Sequence, residues 1–228
     1  MKKITIIIAS IIFSACYTTL TAQANKGKFM LGELSYIEFA GNGVLGSTNL
    51  GYTTFQIKSD GDSNDDSKDK MFSVNIVPRV GYFVIDNLVV GLDVFLAIDS
   101  HKATDFDYKS SSTFFAVGPF VRYYVPTKKV LPFAEVNYSM GSRKSKSEYD
   151  GNESYSSNNA IKLYGAGLGL AVPIGDKVTF DALAGYHTYV IKDKEDNDNN
   201  ERLVAGTIGL RLGFTVFLGK VWHQTDRF

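Results

Sequence analysis

Seven charged residues sit where charge is costly. Arg79, Asp93, Arg122, Glu135, Arg143, Asp181 and Arg211 each lie on the small or polar face of a strand whose other face is apolar. Four guanidiniums and three carboxylates enclosed together must pair, because an unpaired buried charge is strongly destabilising. That chemistry is structural, a lumen charge network. Groups suited to catalysis are sparser. His101, His187 and His223 are the only histidines and lie far apart in the chain. No His-x-x-x-His and no cysteine pair occurs, so no zinc site is expected. His187 could serve as the base of a hydrolase, but no motif supplies its nucleophile. A hydrogen-bonded internal histidine accounts for it better.

Two acidic runs have the opening spacing of a calcium loop: Asp60, Asp62 and Asn64, and Asp196, Asp198 and Asn200. Neither has Gly at the sixth position, and the twelfth is Met71 or Thr207 where Glu is required. Solvated surface loops are the better reading, with weak divalent bridging to lipopolysaccharide as the other. The run Gly165-x-Gly167-x-Gly169 lacks the spacing and the strand-to-helix switch of a dinucleotide fingerprint. Gly141 to Lys146 is a basic strand end that could touch phosphate headgroups, although a solvated loop explains it as well. No catalytic, cofactor-binding or metal-ligating residue is expected, and no reaction.

The elements that must position the seven charges have a period of two. Phe72, Val74, Ile76, Val80, Tyr82 and Val84 share one face, with Ser73, Asn75, Arg79 and Gly81 on the other. Asp86-Asn87 turns the chain, and Leu88, Val90, Leu92, Val94, Leu96 and Ile98 then alternate with Gly91, Asp93, Ala97 and Asp99. Helical spacing does not fit this pattern. Comparable hairpins run from about 112 to 143 and from 160 to 191, and a last strand covers Leu203 to Leu218. That makes seven strands. The even count of single-chain outer-membrane barrels asks for an eighth. Gly46 to Lys58 is the candidate, while Phe29 to Phe39 is a further strand, an alternative first strand or a segment packed into one end.

Connections alternate between short turns at 85–87, 126–130 and 175–177 and long polar stretches at 59–70, 101–111, 144–159 and 192–201. With a periplasmic N-terminus all short turns fall on one side of a membrane and all long loops outside, the asymmetry of outer-membrane barrels. The start of the chain agrees with export. Lys2-Lys3, an apolar run from Ile4 to Ala15 and Ala22-Gln23-Ala24 read as a cleaved signal peptide over residues 1–24. Cys16, the sole cysteine, lies inside it; Phe13-Ser14-Ala15-Cys16 is an imperfect lipobox, which leaves a lipoprotein as the alternative. No later segment reaches the ~18 apolar residues of a spanning helix. Charge is balanced, with 24 basic and 24 acidic side chains, so no net field would favour nucleic acid.

Periodicity alone fits a soluble exported β-protein with the apolar face inside, or a lipid barrel with it outside. Three features favour the second. Gly81, Gly91, Gly118, Gly165, Gly167, Gly169, Gly185, Gly209 and Gly213 gather on the polar face, which suits a crowded lumen. Lys is nearly absent from strand centres. Tyr82, Tyr123, Tyr124, Phe133, Tyr186, Phe214 and Phe217 gather toward strand ends, as an interfacial girdle would. An all-β, closed, antiparallel up-and-down transmembrane barrel of about eight strands is therefore expected. Its lumen would be plugged by side chains.

The run Pro78-Arg79-Val80-Gly81-Tyr82-Phe83-Val84-Ile85-Asp86-Asn87-Leu88-Val89-Val90-Gly91-Leu92 resembles the hairpin of small outer-membrane β-barrel domain proteins common in Bacteroidetes-type bacteria, a porin-like superfamily. Phe120 to Phe133 and Tyr164 to Ile174 resemble it too. The resemblance covers about 45 to 219 and implies fold and outer-membrane location, but no reaction. Residues 25–44 are then an N-terminal extension or extra strand, 45–219 the barrel, and 220–228 a polar tail. Many members end in an aromatic used by the barrel-assembly machinery, and Phe214 to Leu218 fits that signal better than Phe228. The expected partners are outer-membrane lipids, lipopolysaccharide, the assembly machinery during biogenesis and an extracellular ligand on the long loops. The expected role is structural or adhesive; a narrow solute channel and a lipid-modifying enzyme using His187 are the alternatives.

Overall fold

The computed structural model describes residues 24–37, 49–56, 68–103, 108–127, 129–149, 152–194 and 201–219. The residues Asp60 to Asn64 and Asp196 to Asn200, residues 1–23 of the expected signal segment, the polar tail and His223 lie outside them. Ten strands follow in chain order: β1 Phe29–Ile37, β2 Asn49–Gln56, β3 Lys68–Ile76, β4 Pro78–Ile85, β5 Leu88–Lys102, β6 Tyr108–Tyr124, β7 Leu131–Tyr149, β8 Asn152–Pro173, β9 Val178–Asp193 and β10 Leu203–Leu218.

Eight of them close a ring, in the order β1, β4, β5, β6, β7, β8, β9, β10 and back to β1, every pairing antiparallel. β3 and β4 share one ring position. Ile76 pairs with Leu96 and Arg79 with Asp93, so one register runs through both. The gap between them falls at Val77-Pro78, where proline has no N–H to donate. Tight turns close the base, with Asn87 at φ 67° and Gly175 at φ 86°, the left-handed region that Asn and Gly tolerate.

The start of the barrel differs from the sequence reading. The strand that closes the ring is Phe29–Ile37, within the stretch read as an extension or extra strand and named as the alternative first strand, and it pairs with both β4 and β10. Asn49–Gln56, the expected eighth strand, pairs instead with β3 and continues that side of the wall upward. Above Leu210, β10 is hydrogen-bonded only to β9 among the described residues.

The strands are also longer than their apolar cores. β5 to β8 run through much of the stretches read as loops at 101–111 and 144–159. There the sequence is Ser, Lys and Asn, which pair as well as any residue when backbone hydrogen bonds alone hold the ladder. The barrel wall therefore stands above the apolar band on β5 to β8.

The orientation of the two faces is the decisive feature. Val80, Leu92, Leu96, Val136, Leu168 and Leu170 are exposed on the outer wall, and Ile208 is 86 % exposed. Arg79, Asp93, Arg122, Glu135, Asp181 and Arg211 are at most 3 % exposed, inside. A continuous outer belt of aliphatic side chains far exceeds the apolar patch a soluble monomer tolerates. Its stable surroundings are hydrocarbon.

Candidate functional site

The lumen is built in layers, beginning at the turn end. There Met30, Phe83, Val89, Phe120, Tyr124, Leu131, Phe133, Leu183 and Phe217 pack into one buried cluster, with Ala24 against it. Tyr124 lies 5.6 Å from Phe133 and 6.2 Å from Phe217, ring centre to ring centre, and Phe83 lies 5.8 Å from Phe217. The chain before β1 folds across this base. Asn87 N–H donates to the Ala24 carbonyl at 2.7 Å, Lys26 N–H to Asp86 Oδ1 at 2.8 Å and Gly27 N–H to the Phe83 carbonyl at 2.9 Å.

This corrects the girdle read from the sequence. Tyr82, Tyr123, Tyr186 and Phe214 are exposed on the outer wall, but Tyr124, Phe133 and Phe217 are buried within. Alternation decides it: Tyr124 shares the inward parity of Arg122, and Phe133 that of Glu135.

The charge layer sits directly on the base. Two pairs are set by register alone, because Arg79 is opposite Asp93 and Arg122 opposite Glu135 on adjacent strands. Arg79 Nε donates to Asp93 Oδ1 at 2.9 Å and Arg122 Nε to Glu135 Oε2 at 2.7 Å. The remaining ion pairs cross the lumen, and hydroxyls complete the layer locally. Arg79 Nη1 and Nη2 reach both Glu135 oxygens at 3.0 and 3.1 Å, a bidentate fork. Arg122 Nη1 donates to Asp181 Oδ2 at 2.5 Å and Tyr124 Oη at 2.9 Å. Arg211 Nη1 is 3.5 Å from Glu135 Oε1. Thr179 and Thr215 hydroxyls donate to the two Asp181 oxygens at 2.7 and 2.8 Å. Three guanidiniums thus face three carboxylates, and the layer is neutral.

Two aromatic rings seat this layer, a role that charge and period alone did not reveal. The Arg79 guanidinium lies 4.0 Å from the centre of Phe120, and that of Arg122 lies 4.0 Å from the centre of Phe133. Glycine makes the room. A Cβ on Gly91 would strike the Phe120 ring, and one on Gly169 the Phe133 ring. The spacing that could have shown this is Phe120-x-Arg122 and Phe133-x-Glu135, an aromatic and a charge on one face of one strand.

Above the charges a second apolar cluster forms from Val77, Phe95, Ala116, Ile161, Leu163 and Tyr189, with Phe114 and Ile191 packed on it. His187 is buried inside the lumen, 3 % exposed. Arg143, the seventh residue expected in the network, is not in it. It lies near the open end, donating from Nε to Ser112 Oγ at 2.9 Å. With Asp99, His101, Tyr108, Ser110, Ser112, Ser145 and Tyr155 it lines a cavity of about 380 Å³. Among the described residues no group of three His, Cys, Asp or Glu side chains has metal-holding geometry.

The model of the outer membrane protein β-barrel domain matches residues 15–219. Among solved structures the chain is similar to Neisserial surface protein A, at 16 % identity and a TM-score of 0.34, covering 84 % of this chain and 97 % of that one. No curated protein matches significantly.

Proposed function

The chain belongs to the outer membrane protein β-barrel domain family, and on that premise we propose that it acts as a closed, non-conducting barrel that stabilises the envelope and presents its polar end outward for binding or adhesion. Its place is the outer membrane. The observation that carries the proposal is the neutral six-residue charge layer, at most 3 % exposed and held between two apolar clusters. A hydrated ion would have to break several desolvated pairs to pass, and each such break is costly. Eight strands enclose little more than side chains, which is consistent with a filled lumen.

The proposed orientation puts the turns and residues 25–28 in the periplasm and the serine-lined end outside, in keeping with the asymmetry of such barrels. Outer-membrane lipids would cover the aliphatic belt, lipopolysaccharide would flank the tall upper strands, and the assembly machinery would insert the chain. No reaction is proposed. His187, the one candidate base, is buried within the lumen rather than open to a bulky lipid substrate.

Planar-bilayer recording with the purified protein tests the closed lumen. No steady conductance is expected, and a reproducible unitary current would overturn it. External protease applied to intact cells tests the orientation. Cuts confined to the polar connections, with a protected core, are expected; protection of those connections would reverse it.

A further inference from the structure

From the turns upward the lumen is filled with large side chains as far as Phe95 and Phe114, and a polar-lined cavity lies above them. Ser110 is directly opposite Ser147 and Ser112 directly opposite Ser145 on β6 and β7, all with inward parity. Among the described residues they leave a cavity of about 380 Å³, with Arg143 and Asp99 at its lower end and its mouth toward the strand tops. That volume lies within the range of small-molecule sites. Closing the barrel does not explain it, since bulky residues would fill the same space, as they do one layer below.

The lining has a definite chemistry. Each serine hydroxyl both donates and accepts. Ser145 Oγ lies 3.4 Å from Ser112 Oγ, which also takes the Arg143 Nε hydrogen bond at 2.9 Å. His101 and Tyr108 meet edge to face at 6.2 Å on one wall, and Tyr155 stands 59 % exposed at the rim. Asp99 stands near the floor within electrostatic reach of Arg143, so this cavity's guanidinium is faced by a carboxylate; Lys146 borders the cavity too, but alternation turns its exposed side chain outward. A surface of paired hydroxyls, aromatic edges and a charge-balanced floor matches a ligand with alternating hydroxyl groups and C–H faces. A bare anion would instead ask for uncompensated cations.

We infer that this cavity binds a saccharide. The inference rests on the proposed outward orientation only for where the sugar comes from. The site itself stands on the lining.

The test uses the full chain in a zwitterionic detergent without a sugar headgroup. Probes are glucose, galactose, N-acetylglucosamine and maltose, the delipidated core oligosaccharide of the cell's own lipopolysaccharide, and inorganic phosphate. Binding is read by calorimetry and by saturation-transfer NMR. Saturable binding of a sugar with Kd at or below about 1 mM is expected. Tyr155→Ala and the pair Ser110→Val with Ser147→Val should each weaken it about tenfold, since each removes stacking or hydrogen bonds at the cavity. Heat-modifiable gel migration verifies that the variants remain folded. Binding of the core oligosaccharide alone would assign the source to neighbouring lipopolysaccharide, and binding of the free sugars to the surroundings. Either supports the inference. Binding of phosphate without sugar, no saturation by any sugar, or unchanged affinity in folded variants would overturn it. Such a failure leaves the protease and conductance tests unaffected, so the two readings fail separately.

Discussion

Arg122 stacks its guanidinium on the ring of Phe133, 4.0 Å from the ring centre. The same Arg122 bonds Glu135 on the adjacent strand and Asp181 across the lumen. One residue therefore ties the aromatic base to the charge layer, and the ring lies where a side chain on Gly169 would otherwise stand.

A cation–π contact away from water is worth about 2 kcal/mol. A double-mutant cycle of Arg122→Met with Phe133→Leu, followed by urea unfolding in micelles, should give a coupling energy of that order. A coupling near zero would mean that the ring only fills space.

Glu135 accepts from Arg79 and Arg122 and lies near Arg211. Its removal leaves three guanidiniums facing two carboxylates in a dry interior. Glu135→Ala should cost about 3–5 kcal/mol of unfolding free energy. The sextuple replacement of the layer by apolar residues of similar volume should cost far less, or nothing, in the same unfolding assay.

Gly81 is paired with Gly91, and a Cβ added to Gly81 would meet the Val89 side chain first. Gly81→Ala is expected to destabilise the barrel by about 1–3 kcal/mol through overpacking. Adding Val89→Ala should recover part of that loss, because the obstructing atoms belong to a side chain. Strict additivity in the unfolding data would refute the contact.

Leu168 projects from the outer wall in the middle of the apolar part of β8, between Tyr164 and Val172, 72 % exposed. Leu168→Arg in lipid bilayers should cost about 2–4 kcal/mol, whereas Val125→Arg, just past the end of β6, should cost about 1 kcal/mol or less. Equal penalties at the two sites would contradict a hydrocarbon belt centred on Leu168.

Much of this barrel is written in alternation. Leu92 and Asp93 fall on opposite faces because their positions differ by one, and the buried charge of Asp93 beside the exposed Leu92 follows directly. Pairing across the lumen was not legible in the same way, since the Arg79–Glu135 fork exists only once the ring has closed. Arg143 was misplaced although distance along the strand could have excluded it. It is eight residues beyond Glu135 on β7, about 26 Å at the rise of a strand. β1 was obscured by Glu33, which alternation places on the outer face where its neighbours have Phe or Leu. A polar residue at that position breaks the pattern by which the other strands were recognised.

Ring closure between β1 and β10 joins Phe29 to Leu218. Those two residues leave the ribosome almost a full chain apart, so the last seam cannot zip while any later hairpin is missing. A polypeptide stalled before its final strand carries two bare ladders of amide and carbonyl groups, an open invitation to cross-pairing with its siblings. Escorting the unfinished sheet until its tail arrives is therefore a demand set by topology, independent of whatever the finished rim later grasps.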